Sequence, residues 1–182
     1  MEQVNDIQEY ILIDACKKGN SLAFTQLYNL YSKEVFNSIL RLLNNVTEAE
    51  DLLQESFLAA YQNLSQFEAH SNFRAWLKRI AINKTISFLR KKKIVFNEWN
   101  DNIESTDETF DESKFSFQVQ SIQQAIEQLP YSYKAIVQLY VLDDIPQEEI
   151  GQMLGLSHNT VRTQYHRAKQ KILQILQKQS NV

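Results

Sequence analysis

The stretch that decides the fold is Pro146–Ile172, which reads PQEEIGQMLGLSHNTVRTQYHRAKQKI. Pro146 suits the first position of a helix, because its φ is already helical and its missing N–H is not needed there. Gly155 suits the position after that helix, where the chain needs a left-handed φ. A second helix is predicted from Ser157 onward. The stretch therefore predicts a helix-turn-helix.

The second helix of this motif carries two stripes at helical spacing. The apolar stripe consists of Val161, Tyr165, Ala168 and Ile172. The polar stripe consists of Asn159, Arg162, Thr163, His166 and Gln170, with Thr160 beside it and Arg167, Lys169 and Lys171 behind it. Amide, guanidinium, hydroxyl and imidazole groups bond to base edges in a major groove, while lysines bind phosphates. The pattern therefore favours DNA readout by this helix.

Charge is divided unevenly along the 182 residues, whose net charge is −3. Residues 94–121 contain one basic and seven acidic side chains. In contrast, Arg74–Lys93 contains eight basic side chains and Leu156–Val182 contains five, and neither stretch contains an acid. Solvated helix faces would explain one such tract, but two of them favour binding to a polyanion.

The region before residue 94 is predicted to be helical as well. Three stripes recur at helical spacing: Leu22, Leu27, Tyr31, Val35 and Ile39; then Leu52, Leu53, Phe57, Ala60, Tyr61 and Leu64; then Phe73, Leu77, Ile80, Ala81, Phe88 and Leu89. Thr47 followed by Glu50 is a capping-box pattern that would begin the second helix. Ser71 is the predicted cap of the third. We expect an all-α protein with two helical domains and a flexible acidic linker.

Composition excludes several other classes. Three Gly and two Pro are too few for a sheet of many short strands, and 43% apolar residues are enough to build cores. No apolar run reaches the length of a membrane span, and the acidic N-terminus does not resemble a signal peptide. Cys16 is the single cysteine, so no intrachain disulfide can form. A cytoplasmic protein is expected.

Enzymatic readings find little support in the residues. His70, His158 and His166 have no cysteine or carboxylate at metal-ligand spacing, and the chain has no Gly-rich phosphate loop. We therefore expect no catalytic residue, no metal and no cofactor. Two non-enzymatic alternatives remain at this point. A helix-turn-helix regulator acting without polymerase would leave the tract at 73–93 unused, and a protein-binding adaptor would explain neither basic tract.

Three motifs together resemble one family. They are EDLLQESF at 50–57, FRAWLKRIAIN at 73–83 and the helix-turn-helix through Thr160-Val161-Arg162. In this order and over nearly the whole chain, they resemble bacterial RNA polymerase sigma factors of the extracytoplasmic-function (ECF) class. The resemblance implies sigma domain 2 at 7–93, a linker at 94–118 and sigma domain 4 at 119–178. Gly151, where Ala is usual, and Gln164, where a basic residue is common, depart from the family pattern.

The resemblance also implies partners. The helix carrying Asp51, Leu52, Gln54, Glu55 and Phe57 would dock on the beta-prime coiled coil of core RNA polymerase, although Leu52 and Phe57 could equally belong to the core. The fourth domain would sit on the beta flap through the patch Tyr133, Val137 and Tyr140, with core packing as the alternative for that patch. Promoter DNA and a plausible anti-sigma factor complete the expected partners, and no small-molecule substrate is expected.

For the minus-10 element, the family uses the loop before the third stripe and the face of that helix. The corresponding residues here are His70, Ser71, Asn72, Phe73, Arg74, Trp76, Arg79, Asn83 and Lys84. Aromatic surfaces, amides and cations together suit an unstacked base and a displaced strand. Core packing is the favoured alternative for Trp76. The run Arg90, Lys91, Lys92 and Lys93 is expected to grip phosphates without reading sequence.

Overall fold

The computed structural model describes residues 2–68, 72–92 and 119–180. The chain divides into two compact units, Met1–Ile94 and Val95–Val182. Every regular element within the described residues is a helix. The predicted all-α class with two helical domains is thus confirmed. The predicted linker at 94–118 lies outside the described residues, as do His70, Ser71 and Lys93.

The described residues of the first unit form four helices and a short 3-10 turn. The helices are α1 (Glu2–Lys17), α2 (Ser21–Leu43), α3 (Val46–Gln62) and α4 (Phe73–Lys91), with the 3-10 turn at Leu64–Gln66. Helices α2, α3 and α4 each begin after an asparagine whose side-chain oxygen accepts a backbone N–H bond: Asn20, Asn45 and Asn72. Such a bond satisfies a donor that the first helical turn leaves unpaired.

The capping-box prediction for α3 is wrong by two residues. The cap is Asn45 and not Thr47, because the Asn45 side-chain oxygen accepts the Glu48 N–H at 3.1 Å. Asn44, in the left-handed region at φ 53°, ends the preceding helix, so the chain turns before Asn45. For α4, the cap is Asn72 in place of the predicted Ser71, and its oxygen accepts the Ala75 N–H at 2.9 Å.

This correction predicts a difference between two neighbouring substitutions. Replacing Asn45 by Ala should lower the free energy of unfolding by about 1 kcal/mol, because a cap bond is lost. Thr47→Ala, inside the first turn, should change it by less than about 0.5 kcal/mol. Urea unfolding of both variants measures the difference. A larger loss for Thr47→Ala would restore the capping box.

The core of the first unit forms where α2, α3 and α4 pack together, with α1 against α2. Leu27, Ile39, Leu77 and Ala81 are at most 1% exposed. The three predicted stripes supply most of this core, but Leu22 and Tyr61 are exposed and Ile80 and Phe88 are only partly buried. Leu22 lies in the first turn of α2, and Tyr61 lies in the last turn of α3. The helical stripes therefore predict most of the core but not every member of it.

Within residues 119–180, the second unit contains four helices. They are α5 (Val119–Glu127), α6 (Tyr131–Val137), which continues as a π-helix over Gln138–Leu142, α7 (Gln147–Leu154) and α8 (His158–Ser180). Pro146 is the cap of α7 and not its first helical residue, one position from the prediction. Gly155 ends α7 at φ 72°, as predicted. Helices α7 and α8 thus form the predicted helix-turn-helix.

Candidate DNA and polymerase interfaces

The polar stripe of α8 lies on the outside of the second unit. Asn159, Arg162, Thr163 and His166 are exposed, whereas Val161 and Ala168 on the other stripe are fully buried. Gln170 is partly buried, and its amide lies 3.3 Å from the His166 ring. Both stripes therefore lie where the spacing predicts. The four exposed side chains fall in the first three turns of the helix.

The start of α8 is fixed by a side-chain cap. The Ser157 hydroxyl accepts the Thr160 N–H at 3.0 Å, and the two hydroxyls lie 2.8 Å apart. Thr160 is thereby engaged in the cap, which limits its hydroxyl as a base contact. The residues behind the stripe, Arg167, Lys169 and Lys171, are partly buried. The Nζ of Lys169 lies 5.8 Å from the centre of the Tyr165 ring, and that of Lys171 lies 6.0 Å from the Tyr133 ring.

Gly151 and Gln164, the two departures from the family pattern, both face the interior. A Cβ on Gly151 would lie 2.8 Å from the Leu156 carbonyl oxygen, which is too close for a backbone contact. Glycine here therefore permits the close approach of the turn to α7. Gln164 is 3% exposed, so a basic side chain at this position would enter the core and not the polar stripe.

Several basic side chains of the tract on α4 form ion pairs with carboxylates, which the sequence of the tract does not indicate. Arg74 Nε lies 2.6 Å from Glu34, Lys78 Nζ lies 3.3 Å from the same carboxylate, and Lys84 Nζ lies 3.4 Å from Glu55. Lys92 also pairs with Glu48. The acids come from α2 and α3, so a tract that contains no acid in sequence is paired with acids in space. The absence of acids from the sequence of this tract therefore does not leave these four side chains without carboxylate partners.

Glu34 shows the strength of one such cluster. Partial burial alone would raise the pKa of Glu34, but the hydrogen bond from Arg74 and the charge of Lys78 outweigh it, so its pKa lies below the ordinary value. Its pairing stabilises the first unit above the ordinary carboxyl pKa, and this stability is lost as the pH falls through the lowered pKa. Lys78 is 9% exposed, which makes it a structural residue of this cluster.

The exposed part of α4 retains the remaining predicted groups. Asn83, Arg90, Lys91 and Lys92 are exposed, and Arg79 and Lys84 are partly exposed. The Asn83 side chain faces solvent. Its exposure leaves the amide accessible to a ligand.

An aromatic cluster lies at the start of α4. Phe67, Phe73 and Trp76 have ring centres 5.2 to 5.7 Å apart. The two phenylalanines are 3% exposed, whereas Trp76 is partly exposed and packs against the core. Phe67 could not be recognised as part of this cluster from the sequence, because it follows the 3-10 turn outside any helix and so gives no periodic signal.

The exposed ridge of α3 separates the predicted polymerase residues into two groups. Asp51, Gln54 and Glu55 are exposed, whereas Leu52 is 5% and Phe57 is 3% exposed. Phe57 packs against Phe24 and Tyr28, with ring centres 6.3 and 4.7 Å apart. Of the two interpretations of Leu52 and Phe57, the structure therefore supports the core. Leu52 and Phe57 pack in the core beneath the exposed ridge and hold α3 in place.

The candidate flap patch on the second unit also changes. Tyr133 and Val137 are 0% and 3% exposed, so they belong to the core. Tyr140 is 37% exposed, and the next two residues, Val141 and Leu142, are 49% and 45% exposed. These three residues end the π-helix, and the Tyr140 ring packs edge-on against Tyr165 at 4.8 Å. The exposed apolar surface is therefore Tyr140–Leu142, which we call the π-helix patch.

The described residues contain neither a membrane-spanning helix nor a group of potential metal ligands. No helix in the described part of the chain is both long and apolar enough to cross a membrane. Among residues 2–68, 72–92 and 119–180, no three His, Cys, Asp or Glu side chains are grouped so as to hold a metal ion.

Comparison with known proteins identifies both units. Sigma-70 region 2 matches residues 27–94, and Sigma-70 region 4 matches residues 119–172. The ECF RNA polymerase sigma factor SigW of Bacillus subtilis is 33% identical over 172 residues, which cover 88% of this chain and 92% of SigW. The RNA polymerase sigma factor YlaC of the same organism is 32% identical over 148 residues, which cover 79% of this chain and 86% of YlaC.

Solved structures show the same fold. CnrH, in complex with the cytosolic domain of CnrY, matches with a TM-score of 0.56 at 22% identity, over 94% of this chain and 98% of CnrH. RpoE from Bartonella quintana matches with a TM-score of 0.55 at 21% identity, over 85% of this chain and 96% of RpoE. The chain belongs to the ECF class of the sigma-70 family of RNA polymerase sigma factors. It directs RNA polymerase to promoters, as the three sequence motifs predict.

Proposed function

We propose that α8 reads the minus-35 element through Asn159, Arg162, Thr163 and His166. The observation that carries this assignment is that these four side chains are exposed on one face, while the opposite stripe packs inward, with Val161 and Ala168 fully buried and Tyr165 and Ile172 partly buried. A helix of this kind reads bases with the residues of its first turns when it enters a major groove. Arg167, Lys169 and Lys171 bind the flanking phosphates, and Thr160 contributes through the cap.

The minus-10 element is read by α4 and the residues before it. Trp76 is partly exposed and the Asn83 amide is exposed, while Asn72 is exposed with its oxygen engaged in the α4 cap. An unstacked base needs such a combination of aromatic surface and edge-reading amides. Arg79, Lys84 and the run from Arg90 to Lys92 follow the displaced strand, whereas Arg74 acts mainly through its ion pair with Glu34.

Core RNA polymerase docks on the ridge of α3 and on the π-helix patch. Asp51, Gln54 and Glu55 form an exposed acidic and amide surface supported by buried Leu52 and Phe57. This surface suits a basic partner such as the beta-prime coiled coil. The π-helix patch is apolar and exposed, which suits the beta flap.

The remaining partners follow from the family. The RpoE structure was solved with the anti-sigma factor NepR, and this likeness supports an anti-sigma partner for this chain. We assign the chain a binding role without catalysis, cofactor, metal or small-molecule substrate. Since it acts on core polymerase, we place it in the cytoplasm.

The test is promoter opening in vitro with purified core polymerase. Thymines near minus-10 should become reactive to permanganate only when the chain and core polymerase are both present. Gln54→Ala with Asp51→Asn should weaken core binding and therefore opening. The matched control is Gln62→Ala, which removes an exposed amide two turns further along α3. Tight, specific DNA binding by the free chain and opening that survives the double substitution would refute the assignment.

A further inference from the structure

Helix α1 lies outside the family match, which begins at residue 27. It nevertheless contacts Phe67 of the aromatic cluster, and it also contacts Tyr31, which packs against Phe73 of the same cluster. One contact is made by Lys17, in its last turn, and the other by Glu9, two turns earlier. This placement raises the question of what α1 adds to the matched region.

The first contact fixes Phe67, the member of the aromatic cluster that precedes α4. Lys17 Nζ donates a 2.7 Å hydrogen bond to the carbonyl oxygen of Phe67, 50 residues away in sequence. The same ammonium group lies 5.9 Å from the centre of the Phe67 ring. The Phe67 ring in turn packs at 5.4 Å against Phe73 and at 5.2 Å against Trp76. A charged donor therefore fixes the backbone beside the ring that supports Trp76.

The second contact reaches Phe73, the first residue of α4, through Tyr31. The Tyr31 hydroxyl donates a hydrogen bond to the Glu9 carboxylate. The Tyr31 ring lies 5.6 Å from Phe73, centre to centre. Partial burial and the hydrogen bond to Glu9 both raise the pKa of Tyr31, so the hydroxyl stays protonated and remains a donor. Helix α1 thus reaches Phe67 directly and Phe73 through Tyr31.

We infer that α1 is a brace for the minus-10 surface, with Lys17 and Glu9 as positioning residues that act through Phe67 and Tyr31. The inference rests on the proposed assignment of Trp76 and its neighbours to the minus-10 element. Capture of an unstacked base requires a stacking surface that is already in place, because a small displacement weakens the contact steeply. The brace therefore contributes to opening without touching DNA or polymerase.

The experiment compares Lys17, the last residue of α1, with Lys18, the residue after it, in the full chain with core polymerase. Lys17→Met keeps an apolar stem on Phe67 but removes the donor. Lys18→Met removes an equal charge from a side chain that pairs with Asp14 of α1. We expect Lys17→Met to slow permanganate-detected opening about 5-fold. Lys18→Met should leave it unchanged, Lys17→Arg should restore most of the rate, and core affinity should be equal in all three.

A second variant and a reference separate the outcomes. Tyr31→Phe keeps the ring on Phe73 but removes the bond to Glu9, and it should also slow opening. Asn83→Ala tests the minus-10 assignment directly. If Asn83→Ala slows opening while Lys17→Met and Tyr31→Phe do not, the brace is wrong and the proposed function stands. If none of the three changes opening, both are wrong. If Lys18→Met slowed opening as much as Lys17→Met, the loss of a positive charge alone would explain both results, and the brace would be wrong.

Discussion

Phe57→Ala is expected to lower the free energy of unfolding of the first unit by about 3–5 kcal/mol, because a fully packed aromatic ring is replaced by a cavity. The Phe57 ring is 3% exposed and packs against Tyr28 at 4.7 Å, so its neighbours would have to collapse to fill the space. Gln54→Ala, one turn away on the exposed ridge, should change the same quantity by less than about 0.5 kcal/mol.

Urea unfolding followed by tryptophan fluorescence measures both variants. The chain contains two tryptophans, so a Trp99→Phe background makes Trp76 the single reporter of the first unit. Polymerase binding by each variant is measured under conditions where it is folded. Unchanged stability of Phe57→Ala together with lost polymerase binding would place Phe57 in the docking surface and contradict its assignment to the core.

Arg162→Ala is expected to weaken holoenzyme binding to a matched minus-35 site by about 5- to 150-fold, which corresponds to roughly 1–3 kcal/mol for one bidentate base contact. Binding to a scrambled minus-35 site should fall much less. The physical reason is that an exposed guanidinium on the polar stripe can pair with one base edge, and no other base replaces that geometry.

Lys169→Ala is the control for charge. It removes one cation from the same helix, behind the stripe, and should weaken binding to matched and scrambled sites by the same factor. The measurement is a competition between the two sites at fixed salt. If Arg162→Ala also lowered binding equally on both sites, Arg162 would be a phosphate contact and base readout would have to lie elsewhere on α8.

The stripes on α8 could be predicted because a helix repeats every 3.6 residues and both stripes have the same period. The burial of Val161 and the exposure of the adjacent Arg162 can be predicted without knowing which helices pack against α8. The turn at Gly155 was predictable for a similar local reason, since a left-handed φ favours glycine. The cap of α3 was not, because Asn45 and Thr47 are both good caps and the choice depends on where the previous helix ends.

Contacts between helices were beyond reach of the sequence. Lys84 and Glu55 lie 29 residues apart, and no spacing rule brings them together. Tyr133 and Val137 share the helical face that would carry Tyr140, but the change from α-helix to π-helix at Gln138 alters that periodicity. The exposed apolar surface is therefore the π-helix patch and not the predicted face of Tyr133, Val137 and Tyr140. No local sequence pattern predicts this difference.

The ion pairs on α4 have a consequence for salt titrations. A lysine that binds a phosphate normally releases a condensed counterion from DNA, and each such contact adds to the slope of log affinity against log salt. Lys84 and Lys92 already have carboxylate partners on α3, so a phosphate that recruits them must displace Glu55 and Glu48. Those acids then acquire salt cations of their own. The slope for the first unit should consequently report fewer contacts than the eight cations of the tract.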